Sequence, residues 1–182
     1  MNLPNKITLL RVCLIPAFLV VYLANPFESA AVNDWLALVL FAVAAITDAL
    51  DGYLARKLKL VTNFGKLMDP LADKLLVCSA LVAFVATGAL PAWAVIVMIS
   101  REFYISGLRQ LALEQNRVLA ATNGAKFKTI AQIVLIIYVM LPFREFVFEP
   151  VVLAIMIISI AASVLTAVEY TMKNLAIFSS KE

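Results

Sequence analysis

Residues 35–57 read WLALVLFAVAAITDALDGYLARK, and this stretch decides the fold. From Trp35 to Thr47 it carries no charge. Asp48 and Asp51 then follow three apart, with Gly52, Arg56 and Lys57 after them. As a helix the stretch is long enough to cross a hydrocarbon layer of about 30 Å, with its charges gathered at one end. The rest of the chain has the same character. Of 182 residues 64% are hydrophobic and 15% charged, and the mean hydropathy is +0.98. A soluble domain holds about 45–50% apolar residues, so most of this chain belongs in lipid.

Working outward, six apolar segments can be drawn, at 5–24, 35–57, 69–88, 91–112, 125–143 and 148–172. Turn chemistry separates them: Asn25-Pro26, Thr62-Asn63-Phe64-Gly65, Gly88 to Pro91, Thr122-Asn123-Gly124, and Pro142. Pro16 and Pro70 fall within or near the start of spans, where neighbouring helices satisfy the freed carbonyls. The expected fold is all-α, a polytopic six-transmembrane-helix bundle forming a single domain over 1–182. Lys6, Arg11 and the apolar run 12–24 imitate a secretory signal; the expectation is that this segment is retained as the first span.

Lysine and arginine set the orientation. Lys6, Arg11, Arg56, Lys57, Lys59, Lys66, Lys74, Arg101, Arg109, Arg117, Lys126, Lys128, Lys173 and Lys181 fall at or beside one end of the spans, and of the 15 basic residues only Arg144 falls at the other. Both termini and the 2–3 and 4–5 loops are therefore expected in the cytoplasm of a multi-pass cell-membrane protein. The outer loops are expected to carry Glu28, Asp34, Glu145 and Glu149. Trp35 and Trp93 read as interfacial anchors near the outer face.

Histidine is absent, which removes Ser-His-Asp and Cys-His nucleophile systems, His-ligated zinc and any His general base. Cys13 and Cys78 lie far apart inside apolar runs and read as small buried hydrophobes, neither a disulfide nor a metal pair. Carboxylate, lysine, arginine and hydroxyl remain for chemistry. That favours a hard metal ion bound by oxygen.

Acidic residues inside or beside a span are expensive and by default functional. Asp48 and Asp51 share a helical face at the end of the second span. Beyond a short basic turn, Gly65, Asp69 and Asp73 are spaced four apart on one helical stripe. Two helices joined so closely are antiparallel neighbours, which gathers four carboxylates at one end. Their repulsion in a partly dry site calls for neutralisation. Four Asp oxygens suit two Mg2+ or Mn2+ ions, while Gly52, Ala55 and Gly65 leave room for a bulky ligand near the backbone. The competing reading pairs these aspartates with Arg56, Lys57, Lys66 and Lys74 in a solvated interfacial network.

The run Asp48-Ala49-Leu50-Asp51-Gly52-Tyr53-Leu54-Ala55-Arg56, followed after eight residues by Gly65-Lys66-Leu67-Met68-Asp69-Pro70-Leu71-Ala72-Asp73, resembles the signature of the CDP-alcohol phosphotransferases. The match takes in Asp48, Asp51, Gly52, Ala55, Arg56, Gly65, Asp69 and Asp73. Within that family the chain is most similar to bacterial members whose acceptor is glycerol-3-phosphate. The resembling stretches are Leu3 to Thr8 with Arg11, Asp69 to Lys74, Arg101-Glu102, Ser106 to Arg109, and Lys126 to Thr129. Ala125 departs from the glycine usual before the first of those lysines.

The resemblance implies a phospholipid-synthesising transferase. An acceptor hydroxyl attacks the lipid-side phosphorus of CDP-diacylglycerol, and CMP leaves. It implies that Asp48 and Asp69 bridge two metal ions, that Asp51 completes one and Asp73 the other, and that Asp73 is the candidate base. Asn5, Thr8, Gly52, Ala55, Arg56, Thr62 and Gly65 would bind CDP-diacylglycerol, although Thr62 and Asn63 also read simply as a turn. Membrane lipids and a second copy in a homodimer are further implied partners; nucleic acid is not.

An sn-glycerol-3-phosphate acceptor is a dianion and calls for a basic pocket. Arg101 and Arg109, eight apart on one face of the fourth span, and Lys126 and Lys128, opening the fifth, are the candidates, with Glu102 placed to orient Arg101. The competing reading gives these charges only to topology and anionic-lipid contact. Other acceptors remain open: inositol phosphate, serine or phosphatidylglycerol. Intramembrane prenyltransferases also use aspartate clusters, but generally need more spans. A cation transporter would hold its carboxylates near the midplane rather than at helix ends.

Overall fold

A computed structural model of the chain describes the backbone of residues 3–57, 63–115, 119, 123–141 and 148–175, and the side chains of 7–47, 71–72, 74–115, 119, 124–141 and 148–175. Among these residues six α-helices occur and no strand: α1 Leu3–Ala24, α2 Ala30–Lys57, α3 Asn63–Ala86, α4 Ala92–Glu114, α5 Asn123–Val139 and α6 Glu149–Lys173.

The helices follow the expected segments, with instructive differences at their starts. α2 begins at Ala30, so Asp34 is a buried helical residue and not part of a loop. The cause is Asn33, which is 1% exposed. Its Oδ1 accepts from the Phe27 N–H at 3.1 Å, and its Nδ2 donates to the Phe27 and Ser29 carbonyls at 2.7 and 3.2 Å. These bonds fold the α1–α2 connection onto the helix start, where hydropathy reads only two polar residues. Asn25, just past α1, has φ 46, a left-handed conformation that asparagine tolerates better than most residues. Replacing Asn33 with alanine strands both Phe27 backbone groups. The expected cost is about 1–3 kcal/mol, read as a lowered Tm in detergent.

α3 likewise takes in Asn63, Phe64 and Gly65, expected in the turn, and α5 takes in Asn123 and Gly124. Polar and glycine punctuation at these points marks the first helical turn rather than the loop, as the preference of asparagine for helix starts allows. Glu149 is also helical, in the first turn of α6 beside Pro150, while Lys173 lies in its last turn. Both charges complement the helix dipole.

Among the described residues three helices contain stretches long and apolar enough to cross a membrane: Ile7–Ala24, Ala30–Thr47 and Glu149–Lys173. The chain is a membrane protein. α4 carries Arg101, Glu102 and Arg109 within its length, and α5 has 17 residues with Lys126 and Lys128 in its first two turns.

Two compact units make up the chain, one of Met1–Ala89 with Val139–Phe146 and one of Leu90–Tyr138 with Val147–Glu182. In the first, α1 packs on both α2 and α3, and α2 packs on α3. Buried residues recur along α1 at Thr8, Arg11, Ile15, Phe18 and Tyr22, alternating steps of three and four that draw one seam down the helix. Phe18 meets Phe41 of α2 edge-on at 6.0 Å, and Tyr22 meets Phe84 of α3 at 5.5 Å. Alanines 37, 44, 72, 80 and 83 are buried on the facing helices and allow close approach, as small residues do in lipid. In the second unit α4 packs on α6 through Ile105, Leu108 and Tyr170.

Both cysteines are free, but Cys13 is exposed and Cys78 half-buried, against the expectation of burial. Cys13 lies off the α1 seam. In a lipid-facing helix an apolar neighbourhood in sequence does not imply a protein neighbourhood in space. Trp35 and Trp93 are exposed near the starts of α2 and α4.

Candidate active site

In the first unit the aspartates occupy the ends of two packed helices. On α2 the buried positions Ala37, Phe41 and Ala44 step by four and three, and the same steps lead to positions 48 and 51. On α3, the buried Ala83, Ala80 and Leu76 step back by three and four, and positions 73 and 69 continue the row by three and four. The four positions thus continue, by register alone, the rows that face the core. The side chains of Asn5, Asp48, Asp51, Gly52, Ala55, Arg56, Gly65, Asp69 and Asp73 lie outside the described residues, although all nine positions are helical; Thr62 lies wholly outside. Of the nucleotide-binding candidates only Thr8 has a described side chain, and it is buried on the α1 seam.

In the second unit two of the four basic candidates, Arg101 and Lys128, meet at Glu102. Its Oε1 pairs with Arg101 Nη1 at 3.3 Å, the expected contact, and with Lys128 Nζ across from α5. Arg101 and Lys128 are 8% and 3% exposed, so the two cations share one carboxylate in a nearly dry setting. Arg101 Nη2 also donates to Thr166 Oγ1 on α6 at 3.0 Å, and that hydroxyl in turn donates to the Ala162 carbonyl. Arg109 is exposed. It reaches the same helix eight residues on, donating to the Tyr170 hydroxyl at 3.3 Å and lying 5.7 Å from that ring's centre. Lys126 is exposed near the start of α5.

Sequence reasoning missed Thr166 and Tyr170, which orient the two arginines. A signal existed: Ser159, Ser163, Thr166 and Tyr170 step by four, three and four along an otherwise apolar α6, and all four are buried. A polar row on a membrane helix has a partner to find.

Among the described residues no group of three or more cysteine and carboxylate side chains could hold a metal. The donor set expected from the sequence, the four aspartates, lies outside those residues. It is all oxygen, on two helices packed together, which fits a hard divalent cation and not a soft one.

A family model described as CDP-alcohol phosphatidyltransferase matches residues 1–168. The chain belongs to this family. Its aspartates and its basic cluster both fall within the matched region. Among curated relatives, the CDP-diacylglycerol–glycerol-3-phosphate 3-phosphatidyltransferase of Bacillus subtilis is 46% identical, over 95% of each chain. A protein of the same name from Rickettsia bellii is 40% identical, covering 72% of this chain and 70% of its own. Family members of this kind are transferases of phospholipid biosynthesis, and the family uses divalent metal ions.

Proposed function

We propose that this chain transfers the phosphatidyl group of CDP-diacylglycerol to sn-glycerol-3-phosphate, giving phosphatidylglycerophosphate and CMP. The observation that carries the reading is the 46% identity, over nearly the full length of both chains, to a relative named for that reaction. The basic cluster around Glu102 supports a phosphorylated acceptor over serine.

In the reaction the acceptor oxygen forms a bond to the lipid-side phosphorus, and the bond from that phosphorus to the CMP oxygen breaks. Such transfers need positioning and charge neutralisation more than covalent help. Asp48, Asp51, Asp69 and Asp73 would hold divalent metal, Mg2+ or Mn2+ as two ions, which would supply neutralisation at the diphosphate and acidify the acceptor hydroxyl. An Asp73 carboxylate oxygen takes the hydroxyl proton. Arg56 and Thr62, with Asn5 and Thr8 from α1, hold the CDP moiety, while Gly52, Ala55 and Gly65 let it approach the backbone. Arg101, Arg109, Lys126 and Lys128 hold the acceptor phosphate. Glu102 cancels one of the two charges it pairs, so the cluster keeps a net positive balance. The whole chain acts as one domain with six spans and cytoplasmic termini, as a homodimer in the cell membrane.

Purified protein given CDP-diacylglycerol, Mg2+ and a panel of acceptors, scored by CMP release, tests the reading. Glycerol-3-phosphate should be the preferred acceptor over inositol phosphate, serine and phosphatidylglycerol; preference for any of these would replace it.

Two further outcomes are expected. Arg109→Gln removes a charge-assisted contact worth about 1.5–3 kcal/mol, so the KM for glycerol-3-phosphate should rise roughly tenfold to hundredfold while that for CDP-diacylglycerol hardly changes. Arg56→Ala should do the opposite, and a reversed pattern would show that the roles are exchanged. For orientation, a cysteine replacing Glu28 in a background without Cys13 and Cys78 should be labelled from outside intact cells. One replacing Lys59 should stay protected; the reverse labelling would invert the topology.

A further inference from the structure

Arg11 has 0% exposure and is among the largest fully buried side chains of the protein. It is the ninth residue of the 22-residue α1, on the seam facing α2 and α3. An arginine that merely set topology would extend to the interface and keep its head in water; this one does not. Full burial of a guanidinium requires compensating negative charge.

Two aromatic contacts fix the level at which Arg11 lies. α1 and α2 are joined by a short connection and run antiparallel, and Phe18 meets Phe41. Seven residues back along α1 from Phe18 is Arg11; seven residues on along α2 from Phe41 is Asp48. Seven residues are close to two whole turns, so each step keeps its helix face. α3 runs parallel to α1, and Tyr22 meets Phe84. Eleven residues back from Tyr22 is again Arg11, and eleven back from Phe84 is Asp73. Eleven residues are close to three whole turns, so these faces are also kept. Two independent registers, on two different helices, bring the position of one buried cation level with two of the four candidate metal ligands.

We propose that Arg11 is a positioning residue of the aspartate site, a resident counter-cation held at the level of Asp48 and Asp73. It offsets part of the repulsion among the four carboxylates and holds the two helix ends together before metal binds. Divalent metal then takes over most of that neutralisation. This inference rests on the reading of Asp48 and Asp73 as metal ligands, and it adds a function for a residue outside the ligand set.

The test is thermal unfolding of the purified full-length chain in detergent, with EDTA and with saturating Mg2+, for wild type, R11M and R11K. R11M keeps the bulk and removes the charge. Its Tm should fall on the order of 10 °C in EDTA and by less than half of that in Mg2+, and R11K should recover at least half of the loss in EDTA. Equal losses with and without Mg2+, or an R11K no better than R11M, would make Arg11 a packing residue and overturn the proposal. Should R11M fail to fold, R11M/D48N in EDTA decides: a recovered transition supports the charge pairing, and none overturns it. A wild type that gains nothing from Mg2+ would instead overturn the metal reading together with this inference, which separates the two failures.

Discussion

Asp69→Ala leaves less than about a tenth of the wild-type transfer rate, with the protein still inserted and folded. The same result is expected for alanine at Asp48, Asp51 or Asp73. In the proposed site each supplies a ligand to shared metal, so no single loss would be absorbed by the other three. Loss of the carboxylate also changes the charge balance at the diphosphate, where neutralisation is the main contribution to rate. CMP release at saturating CDP-diacylglycerol and glycerol-3-phosphate measures it, with detergent-solubilised Tm as the control for folding. An Asp69→Ala variant above a tenth of the wild-type rate would remove the metal assignment, whatever the family likeness.

Glu102→Ala produces the largest expected effect on stability. The carboxylate is shared by Arg101 and Lys128, which are 8% and 3% exposed. Its removal takes away the carboxylate that these two buried cations share. Breaking such a pairing costs about 3–5 kcal/mol, enough to lower the Tm of a chain this size by roughly 10 °C. Thr166 still accepts from Arg101, but a neutral hydroxyl does not replace a charge. Adding Lys128→Met to Glu102→Ala should restore at least half of the lost Tm by removing one of the two buried cations that share the carboxylate. A change below about 2 °C in the single variant would mean that water already neutralises the group.

Much of this protein is legible without coordinates because its helices are long and its exceptions are chemical. The ends of α1, α4 and α6 lie within about two residues of those drawn from hydropathy and turn residues. Departures occur where a polar residue belongs to the first turn of a helix. Hydropathy reads Asn33 and Asp34 as loop, whereas the bonds from Asn33 to Phe27 and Ser29 make them helix. The pairing of Glu102 with Arg101 is legible because the two are adjacent. The tie from Glu102 to Lys128 is not, because it joins residues on two helices whose relative rotation no local spacing records.

The sequence by itself determined the membrane class, the helix positions and the donor chemistry: no histidine, four aspartates at three- and four-residue steps, and basic residues gathered at one end of the segments. Those properties depend on composition and on spacing within single helices, which a period of 3.6 residues translates directly into faces. Only the tertiary structure decided which face met which. It turned Arg11 inward and Cys13 outward on the same helix, gave Arg101 and Arg109 their partners Thr166 and Tyr170, and buried Lys128 while leaving Lys126 exposed. The reason is physical. Each helix is apolar on most of its surface because lipid and protein are equally acceptable neighbours for apolar side chains, so the inward face is chosen by the few contacts that lipid cannot make: ion pairs, hydroxyl bonds and aromatic edges between helices.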